Sequence, residues 1–140
     1  MPIVFLFPPG MNRKIKYFLP AVFWFLLSFY LLTLPGSAVP KISWFEKMQG
    51  DKLVHIGMFA ILVLLVLLPM QFRSDSPLSL KTVFAVAIGA LAYGIAMEFV
   101  QEYFIPNRSF DVFDMVADGV GCFSGVLCWK YLLKKRSIVS

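Results

Sequence analysis

The sequence predicts an all-α integral membrane protein, a bundle of four transmembrane helices joined by short loops. Of its 140 residues, 59% are hydrophobic and only 15% are charged, against roughly 25% charged in soluble domains. Four apolar runs are each about 20 residues long, the length that a helix needs to cross a bilayer. None alternates apolar and polar residues with a period of two, and a backbone in lipid must bond to itself, so we expect helices.

The apolar runs set the boundaries of the predicted domain. A cytoplasmic leader (1–16) precedes one membrane domain (17–133), and a basic tail (134–140) follows it. The aromatic-rich segment 41–50 is predicted to form a short helix in the membrane interface. The four predicted spans are residues 17–34, 53–70, 82–104 and 112–133.

Basic residues predict the orientation of the spans. Cytoplasmic loops of membrane proteins are enriched in Lys and Arg, and four spans place both termini on the same side. We therefore expect both termini in the cytoplasm, and we attribute the net charge of +5 to topology and anionic lipid, not to nucleic acid. The basic residues on that side are Arg13, Lys14, Lys16, Arg73, Lys81, Lys130, Lys134, Lys135 and Arg136.

Acidic residues collect at the opposite membrane face. Of the eight Asp and Glu residues, only Asp75 is predicted on the cytoplasmic side, and the sole histidine, His55, is also predicted outside. Spacings of three, four and seven residues give each of three helices one polar face. Because ionisable groups cost about 2.5–3.5 kcal/mol each inside a membrane, we expect an outward-opening polar pocket. The residues with these spacings are Asp51 with His55, Glu98 with Gln101 and Glu102, and Asp111 with Asp114 and Asp118.

Three interpretations of this cluster remain open at the level of sequence. In metal-free acid–base chemistry, His55 is the base, Asp51 or Glu98 orients it, and Lys52 and Arg108 hold an anionic group. In metal-assisted chemistry, His55, Glu98, Asp114 and Asp118 hold a divalent cation. In a structural interpretation, Lys52 and Arg108 form buried ion pairs with the acids and hold the helices together.

The residues that carry these spacings resemble the VanZ-like family of small bacterial membrane proteins. The segments are Asp51-Lys52-Leu-Val-His55, Gly94-Ile-Ala-Met-Glu98-Phe-Val-Gln101 and Pro106-Asn-Arg108-Ser-Phe-Asp111-Val-Phe-Asp114-Met-Val-Ala-Asp118-Gly-Val-Gly121. Two positions depart from the family pattern: Asp118 stands where Asn is common, and Phe59 where Tyr is common. The resemblance implies the bacterial cytoplasmic membrane, a role near the cell envelope and, through the family's namesake, a link to teicoplanin resistance.

These observations together predict a protein that binds or modifies a lipid-linked or cell-wall-related molecule, with membrane lipids and a lipid-linked precursor or glycopeptide as partners. A non-catalytic scaffold is the alternative, so whether the protein is an enzyme stays open. A divalent cation is the one cofactor considered. The candidate catalytic residues are His55, Glu98 and Asp114, and the candidate substrate-binding residues are Asp51, Lys52, Gln101, Arg108, Asp111 and Asp118.

Overall fold

The computed structural model describes residues 13–38, 43 and 49–139, and over these residues the chain is helical with no strand. The all-α prediction is confirmed for this part of the chain. The leader up to residue 12 and most of the predicted interfacial segment lie outside the described residues. After one helical turn (Arg13–Lys16), the main helices are α1 (Leu19–Leu32), α2 (Gly50–Phe72), α3 (Leu80–Phe104) and α4 (Val112–Val139), with a 3-10 turn at Gly36–Ala38.

Three helices, α2, α3 and α4, are long and apolar enough to cross a membrane. Helix α1 has only 14 residues, or about 21 Å at 1.5 Å per residue, against a hydrocarbon core of about 30 Å. It ends where Thr33 Oγ1 donates to the carbonyls of Phe29 and Tyr30, two residues before Pro35. Three of the four predicted transmembrane helices are therefore supported, and the first stays a prediction.

Helix α2 lies at the centre of the bundle. Its Phe59, Val63 and Leu67 side chains are fully buried, and α4 packs along it at very short range. A Cβ added at Gly121 would lie 2.5 Å from the carbonyl oxygen of Ile56, and one at Gly125 would lie 2.6 Å from that of Ala60. The two glycines, four residues apart, thus let the α4 backbone approach the α2 backbone, as small residues do in membrane helix pairs.

The outer surface of the bundle is apolar on every helix. Large exposed apolar patches are unusual on soluble monomers, so this surface is consistent with contact to lipid tails. Representative exposed side chains are Phe23 on α1, Phe84 and Ile88 on α3, and Phe123 and Tyr131 on α4.

Polar contacts attach α1 to the long helices. Trp24 Nε1 donates to the carbonyl oxygen of Met58 at 2.9 Å. The buried Ser28 hydroxyl lies 3.1 Å from the Tyr93 hydroxyl on α3. Where α1 ends, the Leu32 carbonyl accepts a hydrogen bond from Gln101 on α3. The Leu34 carbonyl just beyond accepts one from Arg108 in the loop that follows α3, so the α1 terminus lies near the polar end of the bundle.

Candidate functional site

Lys52, near the start of α2, is held by three carboxylates. Its Nζ lies 3.0 Å from Asp51 Oδ2, 2.8 Å from Asp111 Oδ2 and 2.7 Å from Asp114 Oδ1. An ammonium group has three N–H donors, so these partners use all of them. The contact connects the start of α2 with the start of α4.

Asp111 both pairs with Lys52 and caps α4. Its Oδ1 accepts a hydrogen bond from the backbone N–H of Phe113 at 2.8 Å, which satisfies one of the unpaired N–H groups of the first helical turn. The hydrogen bond from the Lys52 ammonium lowers the pKa of the Asp111 carboxyl. This residue is therefore an ionised acid at neutral pH, and its charge stabilises the start of α4.

One turn further along α2, His55 pairs with an acid of α4. Its Nδ1 lies 2.8 Å from Asp118 Oδ1, and its Nε2 lies 3.8 Å from Asp114 Oδ2. All three residues are buried. The sequence predicts Asp51 or Glu98 as the carboxylate that orients the ring, but among the described contacts it is Asp118 that bonds the imidazole.

Glu98 brings α3 into the same cluster. Its Oε2 accepts a hydrogen bond from the backbone N–H of Asp111 at 3.0 Å. Its Oε1 is buried and has no hydrogen-bond partner among the described residues, and the same holds for Asp118 Oδ2. Both side chains are only 1% exposed, so two carboxylate oxygens are shielded from water without a compensating protein contact.

Two residues that sequence reasoning had not placed in the site shape it. A Cβ at Gly94 would overlap the Asp118 carboxylate and the Phe59 ring, so α3 needs glycine at this level. The Phe59 ring is nearly parallel to the His55 imidazole, with centroids 6.5 Å apart. The G-x-x-x-E spacing in the sequence indicates that Gly94 lies beside the site, because it puts Gly94 and Glu98 on one face of α3.

Two predicted site residues are placed beside the cluster and bind the end of α1. The Gln101 side chain, 1% exposed, donates from Nε2 to the Leu32 carbonyl at 2.9 Å. Arg108 donates from Nε to the Leu34 carbonyl at 3.3 Å and forms no ion pair among the described residues. Its loop turns at Asn107, which has a positive φ of 58°, a conformation that Asn tolerates better than most residues.

Two overlapping groups of side chains have the composition and spacing to hold a metal ion. One is His55, Glu98 and Asp114, all buried, and the other is Asp51, Asp111 and Asp114. In each, the candidate ligand atoms lie within 4.8 Å of one another. The carboxylates of the second group already surround the Lys52 ammonium, so a metal cation there would have to compete with the charge of Lys52.

The profile of the VanZ/LLP1 family matches residues 4–134, nearly the whole chain. The chain belongs to the VanZ/LLP1 family. This confirms the resemblance seen in the sequence and, with the three long apolar helices, supports a VanZ-like membrane protein. Comparison with curated proteins and with solved structures gave no match.

Proposed function

We propose that this VanZ-like protein acts at the cell envelope and binds or modifies a lipid-linked or cell-wall-related molecule at the outer leaflet. The support is the position of the acid–histidine cluster, at one end of three long apolar helices. A lipid-linked molecule at that level can keep its tail against the apolar helix surfaces while its polar head reaches the cluster through an outward-opening pocket.

The observation that carries the proposal is the hydrogen bond between His55 and Asp118 at 2.8 Å. In the proposal, Nδ1 carries the proton and donates to the carboxylate, and the lone pair of Nε2 then lies on the side of Asp114. An imidazole held in one tautomer by a carboxylate can accept a proton from a substrate and return it. In the proposal, His55 handles the proton, and Glu98 and Asp114 form the rest of the reacting end of the site.

Arg108 is the residue proposed to hold the anionic part of the ligand. Its Nε is bonded to the Leu34 carbonyl, but a guanidinium has five donors in a planar fork that fits phosphate and carboxylate. Lys52, by contrast, has its three donors directed at three carboxylates. Anion binding is therefore assigned to Arg108, whereas Lys52 positions the acids.

A polyprenyl phosphate is the probe for this proposal. Purified protein in lipid nanodiscs is titrated with the probe, and binding is measured together with release of inorganic phosphate. We expect saturable binding by the wild type and at least about tenfold weaker binding by Arg108→Gln, a loss of roughly 1.4 kcal/mol. The matched control is Arg73→Gln, since Arg73 follows α2 at the opposite end of the bundle. Equal binding by both variants would reject Arg108 as the anion contact, and no binding by the wild type would reject this ligand class.

A scaffold that uses the cluster structurally is the second candidate. It is favoured by the three carboxylates around Lys52 and by the Glu98 bond to the backbone of Asp111, which together connect α2, α3 and α4. Under this alternative, His55→Asn retains full biological activity as long as the protein folds. Loss of activity in folded His55→Asn supports the chemical role.

The link to glycopeptide resistance is a further part of the proposal and is supported only by the family. Its test is the teicoplanin susceptibility of a sensitive bacterial strain that expresses the wild type or folded His55→Asn. Protection by the wild type alone supports the link, and equal susceptibility of both strains argues against it.

A further inference from the structure

More acids than cations meet at one end of the bundle. Five carboxylates lie there, of which Asp51 is exposed, Asp111 is half-buried and Asp114, Glu98 and Asp118 are buried. Lys52 is the one ammonium group that contacts them among the described residues. Lys52 contacts Asp51, Asp111 and Asp114, but it is not a partner of Glu98 or Asp118, which are the two most deeply buried acids. A buried carboxyl group needs a partner of opposite sign, a bound metal, or a proton that neutralises it.

Three side chains from three different helices each have one polar atom in a hydrogen bond to the protein and a second polar atom left over. On α2, His55 has Nδ1 bonded to Asp118. On α3, Glu98 has Oε2 bonded to the Asp111 backbone, and on α4, Asp114 has Oδ1 bonded to Lys52. Each residue keeps one further ligand atom, and candidate ligand atoms of the three lie within 4.8 Å of one another.

The unpartnered Glu98 oxygen distinguishes this group from an ordinary cluster of acids. Glu98 Oε1 is buried without a hydrogen-bond partner among the described residues. Leaving a buried acceptor unsatisfied costs about 1–3 kcal/mol, more when it is charged, so a bound ion would be stabilised at this oxygen. The separation of 3.8 Å between His55 Nε2 and Asp114 Oδ2 is also close to what two ligands of one ion show.

The neighbours of the three residues match the outer shell of a metal site. Metal-binding histidines usually donate their other ring N–H to a carboxylate, which fixes the tautomer and the ring orientation. For His55, the carboxylate in this position is that of Asp118. Gly94 leaves the space that the Asp118 carboxylate needs. The Lys52 ammonium holds the remaining oxygen of Asp114 in the same way.

We propose that His55, Glu98 and Asp114 bind a divalent transition-metal ion of the Zn²⁺ or Mn²⁺ type, with Asp118 orienting the histidine. One imidazole and two carboxylates suit these ions, whereas Mg²⁺ and Ca²⁺ prefer oxygen ligands alone. The candidate ligand atoms lie within 4.8 Å of one another, so they need to approach each other only slightly to reach metal bonds of about 2.0–2.2 Å. Three protein ligands leave a position open for a phosphoryl oxygen or water.

This inference rests on the proposed function in that it treats the cluster as a ligand site, but the two can fail separately. With an ion bound, Nε2 of His55 would be a ligand, and a water on the ion would handle the proton in place of the imidazole. Metal binding is measured without any lipid, and polyprenyl phosphate binding is measured with and without metal. A protein that binds metal but no lipid phosphate supports the metal site and rejects the proposed ligand. A protein that binds lipid phosphate equally with chelator present and takes up no metal overturns the metal site.

The decisive experiment measures metal content after equilibrium dialysis. Chelator-treated full-length protein in detergent is dialysed against Zn²⁺ or Mn²⁺ and analysed by inductively coupled plasma mass spectrometry. We expect one ion per chain in the wild type and a loss of at least tenfold in affinity in Glu98→Gln. The control is Glu102→Gln, because Glu102 lies one turn further on α3, is exposed, and bonds the backbone of Phe110 instead.

A spectroscopic readout keeps the test independent of protein stability. Co²⁺ bound by wild-type protein should show visible d–d bands that shift when His55 is changed to Gln, since a nitrogen ligand is lost. Stoichiometric uptake with these bands in the wild type supports the proposal even where a variant fails to fold. No uptake by folded wild-type protein, or equal uptake by Glu98→Gln and Glu102→Gln, overturns it.

Discussion

His55 on α2 and Asp118 on α4 form a buried hydrogen bond of 2.8 Å. About one turn further along α4, Gly121 lets the backbones of the two helices approach each other. The second oxygen of Asp118 has no partner among the described residues. The Asp118 carboxylate therefore makes a single hydrogen bond, to His55. Changing residue 118 should alter both the stability of the protein and the orientation of the imidazole ring.

Replacing Asp118 tests this pair. Asp118→Ala leaves the Nδ1–H of a buried imidazole without an acceptor, and we expect it to destabilise the protein by about 1–3 kcal/mol. Asp118→Asn keeps an acceptor of the same shape and should fold, while weakening metal binding about 10–100-fold, as loss of an outer-shell carboxylate does. Thermal unfolding and metal titration measure the two effects. Unchanged stability in Asp118→Ala would show that the pair contributes nothing to folding.

The glycines of α4 provide the sharpest packing test. Gly121→Ala places a methyl group 2.5 Å from the Ile56 carbonyl, and because that atom belongs to the backbone, the helices must separate, which costs about 1–3 kcal/mol. Gly89→Ala is the control, since a Cβ there meets nothing within 4 Å. In a helix that change is neutral or stabilises by about 0.5–1 kcal/mol. Thermal unfolding in detergent compares the two, and equal stability of both variants would contradict the close approach of α2 and α4.

The acids of the cluster could be predicted from sequence, but their partners could not. Residues three, four and seven apart share a helix face, so the polar faces of α2, α3 and α4 follow from spacing alone. Whether His55 meets Asp118 or Glu98 depends on how far α4 is rotated and shifted along α2. Contacts at Gly121 and Gly125 set that register, and spacing within one helix carries no information about it.

The end of α1 shows a second limit of sequence reasoning. Hydropathy extends the first apolar run over residues 17–34, since Tyr17, Thr33 and Leu34 do not interrupt it. The helix is shorter at both ends, since it begins at Leu19 and ends at Leu32. Beyond Leu32, Thr33 bonds back to the preceding turn, and Pro35 follows two residues later. Gln101, a predicted substrate-binding residue, donates to the Leu32 carbonyl at that helix end, a contact that spacing along α3 does not reveal.

Removing the Lys52 charge should destabilise the bundle. Lys52→Met leaves Asp114, whose side chain is only 9% exposed, beside other carboxylates without a cation, and breaking such a buried pair costs about 3 kcal/mol. Lys81→Met is the control, because Lys81 is exposed at the start of α3. Chemical or thermal unfolding of both variants tests the difference. A stability of Lys52→Met equal to that of the control would mean that the ion pairs are offset by their desolvation.

Acid should weaken the Asp111–Lys52 contact in a defined range. The ammonium lowers the pKa of Asp111 in the folded protein, so its contribution to stability is complete above the ordinary value for Asp and is lost as the pH falls through the lowered value, below about pH 4. We expect the melting temperature of the wild type to fall across this range more steeply than that of Asp111→Asn. Parallel curves for the two proteins would show that Asp111 does not carry this dependence.

The topology of the chain is decided by whether α1 crosses the membrane. Single cysteines are introduced at Lys16, Ser76 and Ser109 in a protein whose native Cys122 and Cys128 are replaced, and intact cells are treated with a membrane-impermeant maleimide. The cluster end is predicted outside, so Ser109→Cys should react and Ser76→Cys should react only after permeabilisation. If α1 spans, Lys16→Cys behaves like Ser76→Cys, as the excess of Lys and Arg predicts. Reaction of Lys16→Cys in intact cells would instead contradict a spanning α1, and with it the packing of Trp24 against Met58 and of Ser28 against Tyr93 along the long helices.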